Sequence, residues 1–399
     1  MASLLRLPPV PRLKPRSASL ILSDGTRFKG RLVGAPLVSS GQMVFTTGMV
    51  GYPETITDPS YFGQIVVFSY PLIGNYGVPP DPHPLSGIPP RGLESDRVRA
   101  SGIILGAETL HADHWAAGGP LGSWLERQGV PGIAGLDCRA LVTKIRSSKL
   151  LLGRIVPQDP AGERDLGAGF LPAREGFFDP GAQCIMPAVS GREPIRLGKG
   201  KRRVAVLDTG VKWGILRALL AAGVEVDLRP WDTDMESVDC DGWLFSNGPG
   251  DPTRTGPVVA RVKKLLKGNR PILGICLGHQ LLGLAAGAKT SRMRYGHRSH
   301  NQPVLDLVTK RGALTSQNHG YVVEAESLKD GWAPWFVNVN DGTLEGLRHR
   351  AKPWKSVQFH PEASAGPRDT TWIITEFART LSARRAGRPG RAAGPAGAS

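Results

Sequence analysis

The stretch Gly274-Ile275-Cys276-Leu277-Gly278-His279-Gln280 decides how the second half of this 399-residue chain is read. Pro271 to Ile275 is a short apolar run of the kind a buried strand needs, and Leu277 to Ala286 has the length and periodicity of a helix. Cys276 therefore stands on a sharp strand-to-helix turn. Gly274 and Gly278 leave room for that turn and keep side chains away from the sulfur. A cysteine at a helix start meets unpaired backbone N–H groups, which favour the thiolate, and the amide of Leu277 can face an oxyanion. Taken alone, the motif also fits a core cysteine beside packing glycines. A separate His360-Pro361-Glu362 shifts the balance, since it offers a base and a carboxylate to orient it. Thiol chemistry on an amide is the leading expectation.

Around this turn the pattern alternates. Val204 to Leu207, Val224 to Leu228, Gly242 to Phe245 and Ser356 to Phe359 read as strands, while Gly214 to Ala222 and Val258 to Leu266 read as helices. Such alternation predicts an α/β fold with a mostly parallel sheet covered on both faces, and ligands at the carboxyl ends of its strands. Cys276 falls there. So does Ser246-Asn247-Gly248-Pro249-Gly250-Asp251-Pro252, a rigid turn whose backbone could donate to an oxyanion or close over a small ligand, or be no more than a turn.

The first half differs. Leu20 to Leu22, a turn at Asp24-Gly25, and Thr26 to Phe28 predict an opening hairpin. Val44 to Thr47, Ile65 to Phe68 and Ile103 to Leu105 predict further strands, and Leu121 to Gln128 and Leu141 to Ile145 predict helices. This is a mixed β/α domain with few catalytic groups. The expected organisation is a disordered basic extension over 1–16, an N-terminal domain over 17–190, a Gly/Pro-rich basic linker over 191–201, a catalytic domain over 202–382 and a disordered basic tail over 383–399.

Lys and Arg number 50 against 34 Asp and Glu, a net +16, much of it diffuse. No zinc-finger spacing or aromatic-basic interleaving accompanies the charge, so an acidic partner or anionic substrates explain it better than nucleic acid. The four cysteines show neither metal spacing nor disulfide density, which points to a reducing compartment. No apolar run reaches a membrane-spanning length. The expectation is a cytoplasmic protein, with organellar targeting by the N-terminal extension as the alternative. His279 reads as a packing residue beside the nucleophile. His319, in Ser316-Gln317-Asn318-His319-Gly320-Tyr321, reads as part of a substrate-touching loop. His297 and His300 lie close in sequence but lack a third ligand, so no metal is expected.

These residues together resemble a known family. The second half is similar to class I glutamine amidotransferases, on Gly-Ile-Cys-Leu-Gly-His-Gln, Ser-Asn-Gly-Pro-Gly-Asp-Pro and His-Pro-Glu. The whole chain, from about Ser19 to Leu381, resembles the small, glutaminase subunit of carbamoyl phosphate synthetase. The discriminating marks are Gly51-Tyr52-Pro53-Glu54, Thr57-Asp58-Pro59-Ser60-Tyr61 and Tyr70-Pro71-Leu72-Ile73-Gly74-Asn75-Tyr76-Gly77. The wording around Arg294-Tyr295-Gly296-His297-Arg298 leans toward the fused eukaryotic pyrimidine enzymes.

The resemblance implies Cys276 as nucleophile, with His360 and Glu362 as its partners. It implies glutamine-binding positions at Gly48, Gly248, Gly250, Leu277, Gln280, Asn318, Gly320 and Tyr321. Gly48 departs from a common serine, and Tyr321, Thr46 and Ala365 stand where Phe, Asn and Pro are frequent. Cys276 is retained, unlike in some urea-cycle relatives. The implied activity is hydrolysis of glutamine through a thioester, with ammonia passed to a large partner subunit that makes carbamoyl phosphate from bicarbonate and ATP, for arginine or pyrimidine synthesis. No cofactor is implied in this chain; ATP and magnesium would act in the partner, and higher oligomers of the heterodimer are compatible. A glutaminase serving anthranilate or GMP synthesis would leave the N-terminal marks unexplained. A catalytically silent scaffold is the alternative of a different class.

Overall fold

The computed structural model describes residues 16–80, 87–115, 117–167, 176–329 and 331–381. The tail expected over 383–399 and the extension before Arg16 lie outside them. Among the described residues the chain builds two sheets, and no helix is long and apolar enough to cross a membrane.

The first sheet has eight strands. Ser17–Leu22 and Arg27–Gly34 form the expected hairpin, closed where the Leu22 N–H donates to the Thr26 carbonyl. Leu37–Thr46 pairs antiparallel with Leu152–Pro157 on one side and parallel with Gln64–Phe68 on the other. That last pairing closes the sheet on itself and removes the open edges that would invite aggregation. Alternation along Gln64–Phe68 sends Ile65 and Val67 into one cluster with Leu20, Met43 and Ile104. Val66 and Phe68 go to the opposite cluster. That second cluster runs into the other half of the chain through Val211, Trp213 and Phe359, so the two halves share a core.

The second sheet has ten strands. Glu225–Pro230, Arg203–Asp208, Gly242–Phe245, Ile272–Ile275 and Trp354–Val357 are parallel neighbours in that order. Beyond Trp354–Val357 the sheet continues antiparallel through Leu344–His349, Trp332–Asn338, Thr290–Asp306 and Gly312–Val323. The expectation of a mostly parallel sheet is thus corrected: the sheet is mixed. The physical reason lies after the helix Leu277–Ala285, where five strands follow with no α-helix between them, and short connections favour antiparallel pairing. Ile195–Leu197, within the stretch expected as a linker, adds an antiparallel edge strand.

The first half meets the second through buried polar contacts. Glu94 accepts from the Gly214 N–H at 2.8 Å and pairs with Arg217 at 2.5 Å. The Asn247 side chain donates to the Ser60 hydroxyl at 2.8 Å and to Asp58 at 3.3 Å. These bonds tie the Asp58-Pro59-Ser60-Tyr61 segment to the Gly248–Gly250 turn.

Candidate active site

Cys276 ends the central strand Ile272–Ile275 and caps the helix Leu277–Ala285 with φ 54° and ψ −104°. A non-glycine residue held in so sparse a region is strained, and such strain gathers at functional sites. The surroundings over-determine it. A Cβ at Gly278 would lie 2.1 Å from the Phe245 carbonyl oxygen, and one at Gly274 would lie 2.5 Å from that of Gly278. The Cys276 N–H is held by the Val357 carbonyl, on the neighbouring strand. Helix and sheet therefore close on each other only with glycine at 274 and 278.

Three residues after that neighbouring strand, His360 is buried, and its Nδ1–H donates to Glu362 Oε1 at 2.6 Å. The carboxylate fixes the tautomer and leaves Nε2 free of any hydrogen bond of standard geometry. Cys276 is close enough to be among the groups that raise the His360 pKa. Lys212 Nζ reaches the same Glu362 oxygen at 3.0 Å and donates to the Ala363 carbonyl. Burial opposes charge on all three groups. Glu362 nonetheless lifts the His360 and Lys212 pKa values, while Lys212 and His360 hold Glu362 below the usual carboxylate range. The result is a buried, ionised trio.

The sulfur opens into a cleft of about 530 Å³. Gly248, Gly250, Gln280, Asn318, Gly320 and Tyr321, six of the positions the resemblance implied, line it with Cys276. Gly250 takes φ 93°, which a side chain would resist, and a Cβ at Gly248 would meet the Thr209 carbonyl oxygen at 2.0 Å. Gln280 is held by bonds from its amide to the Tyr321 carbonyl and to Gln358. Leu277 and Gly48 do not line the cleft. The Leu277 side chain is buried against the Gly248 turn, and Gly48 lies against the ring of His300.

Sequence reasoning missed Gln42, Ser60 and Gln64, which the first domain contributes to the cleft wall, and Arg292 and Arg298 opposite. Ser60 sits inside a quoted motif, a signal that could have found it. So does Arg298, in Arg294-Tyr295-Gly296-His297-Arg298, whereas Gln42, Gln64 and Arg292 carry no local mark.

His279 is buried, with Nδ1 2.9 Å from the Ser356 hydroxyl, and burial pushes its pKa down to about 3. His319 lies within the strand Gly312–Val323 rather than in a loop, because its segment pairs antiparallel with His297, Arg298 and Ser299. That register supplies the third group missing from the local spacing. His297, His319 and Glu345 bring ligand-type atoms within 4.8 Å of one another. His297 Nδ1 lies 3.2 Å from Glu345 and 2.9 Å from Gln317 Oε1, while Nε2 lies 2.8 Å from Asp341. Despite burial, Glu345 and Asp341 raise the His297 pKa, and Glu345 is held down to about 2 by the two histidines. Both His297 nitrogens thus face acceptors, and a proton satisfies the group. The network braces the strand that carries Asn318 and Tyr321.

Comparison with known proteins agrees with this geometry. Residues 205–380 match the class-I glutamine amidotransferase family model, and residues 20–155 match that of the carbamoyl-phosphate synthase small chain, CPSase domain. The chain is 44% identical over 363 residues to the carbamoyl phosphate synthase arginine-specific small chain of Emericella nidulans, covering 90% of this chain and 78% of that one. It is 42% identical over 384 residues to the protein of the same name from Phaeosphaeria nodorum, covering 94% and 79%. Multifunctional protein ura1 of Schizosaccharomyces pombe is 42% identical over 381 residues, which are 90% of this chain and 17% of that much longer one. The chain is a class I glutamine amidotransferase by its second half. As a whole it belongs to the carbamoyl phosphate synthase small-chain family.

Proposed function

We propose that this chain hydrolyses glutamine at Cys276 and passes the ammonia to a synthetase partner. The chain is the glutaminase subunit of a carbamoyl phosphate synthetase, and its partner is the large subunit. The observation that carries the reading is the strained Cys276 elbow beside the His360–Glu362 pair, at the foot of a cleft lined by the Gly248–Gly250 turn. The direct experiment measures glutamate formation by the purified complex, wild type against Cys276→Ala. Glutamate formation that survives the substitution would remove Cys276 as nucleophile.

We assign the steps as follows. The Cys276 thiolate attacks the glutamine carboxamide carbon, and the backbone N–H groups of Leu277 and Gly250 receive the oxyanion. His360 gives its proton to the departing ammonia, leaving a γ-glutamyl thioester. The now neutral imidazole takes a proton from water, whose oxygen attacks the thioester carbonyl, and glutamate leaves as the thiolate returns. Glu362 holds the imidazole, and Lys212 holds Glu362. Asn318, Gly320, Tyr321, Gly248 and Gln280 shape the glutamine site, and Gly48 stands outside it, against His300.

The remaining assignments share this reading. Residues 17–190 form the domain that meets the large subunit, and 202–382 the glutaminase. ATP and magnesium act in the partner, and this chain holds no cofactor. The complex is cytoplasmic, binds neither nucleic acid nor membrane, and is able to assemble as higher oligomers of the heterodimer.

A further inference from the structure

The residues lining the glutamine cleft include three buried polar atoms with no hydrogen-bond partner among the described residues: Arg298 Nε, Gln64 Oε1 and Asn318 Nδ2. Buried polar groups are almost always paired, so each exception asks for a partner from outside the chain. Three in one cleft, beside the nucleophile, ask for the same one.

Arg298 is the most demanding of them. It is 8% exposed, and one end of its guanidinium is pinned where Nη1 donates to the Tyr295 carbonyl at 2.7 Å. Two glycines make room for it. A Cβ at Gly296 would lie 2.5 Å from Nη1, and one at Gly320 would lie 3.2 Å from Nη2. Gly320 lines the cleft, so Nη2 stands against the cleft wall. With Nη1 engaged, Nε and Nη2 remain, and these two form the edge of a guanidinium that meets a carboxylate with parallel N–H bonds.

Nothing in the fold fills that role. No carboxylate pairs with Arg298 among the described residues, and no Asp or Glu lines the cleft. Burial pushes the Arg298 pKa down and the charge of Arg292 works the same way, while Tyr61 and Cys276 oppose them. A buried cation without a counterion is costly, and an arriving anion relieves that cost. Arg292, the other cation of the cleft, is solvent-exposed with its guanidinium 5.8 Å from the Tyr321 ring, so water already screens it.

Glutamine brings one anion. With its carboxamide at Cys276, its α-carboxylate lies about 5 Å further along an extended chain of C–C bonds. Arg298 lines the same cleft as Cys276, near enough for their charges to act on each other.

We propose that Arg298 binds the α-carboxylate of glutamine through its Nε–Nη2 edge and so sets the requirement for the free amino acid. The proposal rests on the glutaminase reading above and adds a specificity-determining residue to it. No bond is made or broken at Arg298.

The test uses the complex of this chain with its synthetase subunit and two amides. Glutamate is measured from glutamine, and 4-aminobutanoate from 4-aminobutanamide, which is glutamine without the α-carboxylate. Wild type should prefer glutamine about 10²-fold in kcat/KM, the factor one charge-assisted pair supplies. Arg298→Met should shrink that preference to about threefold or less, through a glutamine KM raised about 10²-fold rather than through kcat. Arg298→Lys, which keeps the charge and loses the fork, should fall between the two, and it decides the matter if the Met variant does not fold. A wild type without the preference overturns the proposal. So does a variant that slows both amides equally with the preference intact, since that places Arg298 in thiol chemistry or folding. Absence of glutamate formation in the wild type would instead sink the glutaminase reading.

Discussion

Two spaces that share Asn318 lie on either side of the catalytic pair, and different groups line them. The glutamine cleft is walled mainly by one domain, from turns at the ends of parallel strands and from one face of the strand Gly312–Val323. The smaller space beside it also takes its walls from both domains, and they carry Glu54, Asp58, Lys212 and His300. The first is shaped for binding and bond-breaking. The second is lined by acidic and basic side chains of both domains.

The largest effect belongs to the cleft. Cys276→Ala should cut glutamate formation on the order of 10⁵-fold, while the complex still makes carbamoyl phosphate from added ammonium. Loss of both activities would break the comparison, because the two spaces would then depend on one residue for folding.

Glu362→Gln should lower the glutaminase rate on the order of 10² to 10⁴-fold with little change in glutamine KM, since it disturbs the imidazole and not the binding wall. The same pair predicts a pH dependence of stability. The His360 pKa is raised in the fold, so its contribution is complete below the ordinary imidazole value of 6.5 and is lost as pH rises through the raised one. Glu362 is held low, so its contribution is present above its ordinary value of 4.5 and is lost as pH falls through the depressed one. The Tm advantage of wild type over His360→Gln should accordingly shrink between about pH 6.5 and pH 10. A constant advantage across that range would show that His360 is not paired as described.

Gly278→Ala sharpens the comparison from the scaffold side. Its methyl would meet the Phe245 carbonyl oxygen at 2.1 Å, and the nucleophile helix would have to lift. Denaturant unfolding should show a loss of about 3 kcal/mol, with glutaminase activity falling as the elbow relaxes. The smallest effect is expected at the exposed edge beyond His300. Met49→Ser and Val50→Ser should each change stability by no more than about 0.5 kcal/mol, since both side chains already face solvent. Their influence should appear only in the presence of the synthetase subunit.

Legibility followed the range of the interactions. The elbow was readable because strand, glycine pair and helix are consecutive, and each constrains the next within seven residues. The hairpin at Asp24-Gly25 was readable for the same reason. The antiparallel wing was not, because Thr290–Asp306 and Gly312–Val323 carry polar residues at buried positions, such as His297, Gln317 and His319, which erase the apolar alternation. Those polar residues are affordable only when paired across strands with Glu345 and Asp341. Likewise, Gln42 and Gln64 reach the cleft from a domain whose local pattern shows no chemistry.

What the chain order alone supplied is the set of candidate reacting groups: a thiol at a helix start, an imidazole and a carboxylate two residues apart, and glycines where no side chain fits. Local backbone geometry leaves those few choices. What needed the folded molecule is which groups face each other across long separations. The partner strands of His319, the lysine behind Glu362 and the ring of His300 over Gly48 depend on packing between segments tens to hundreds of residues apart. No short-range preference encodes such distances, because only the closure of two sheets onto a shared core brings them together.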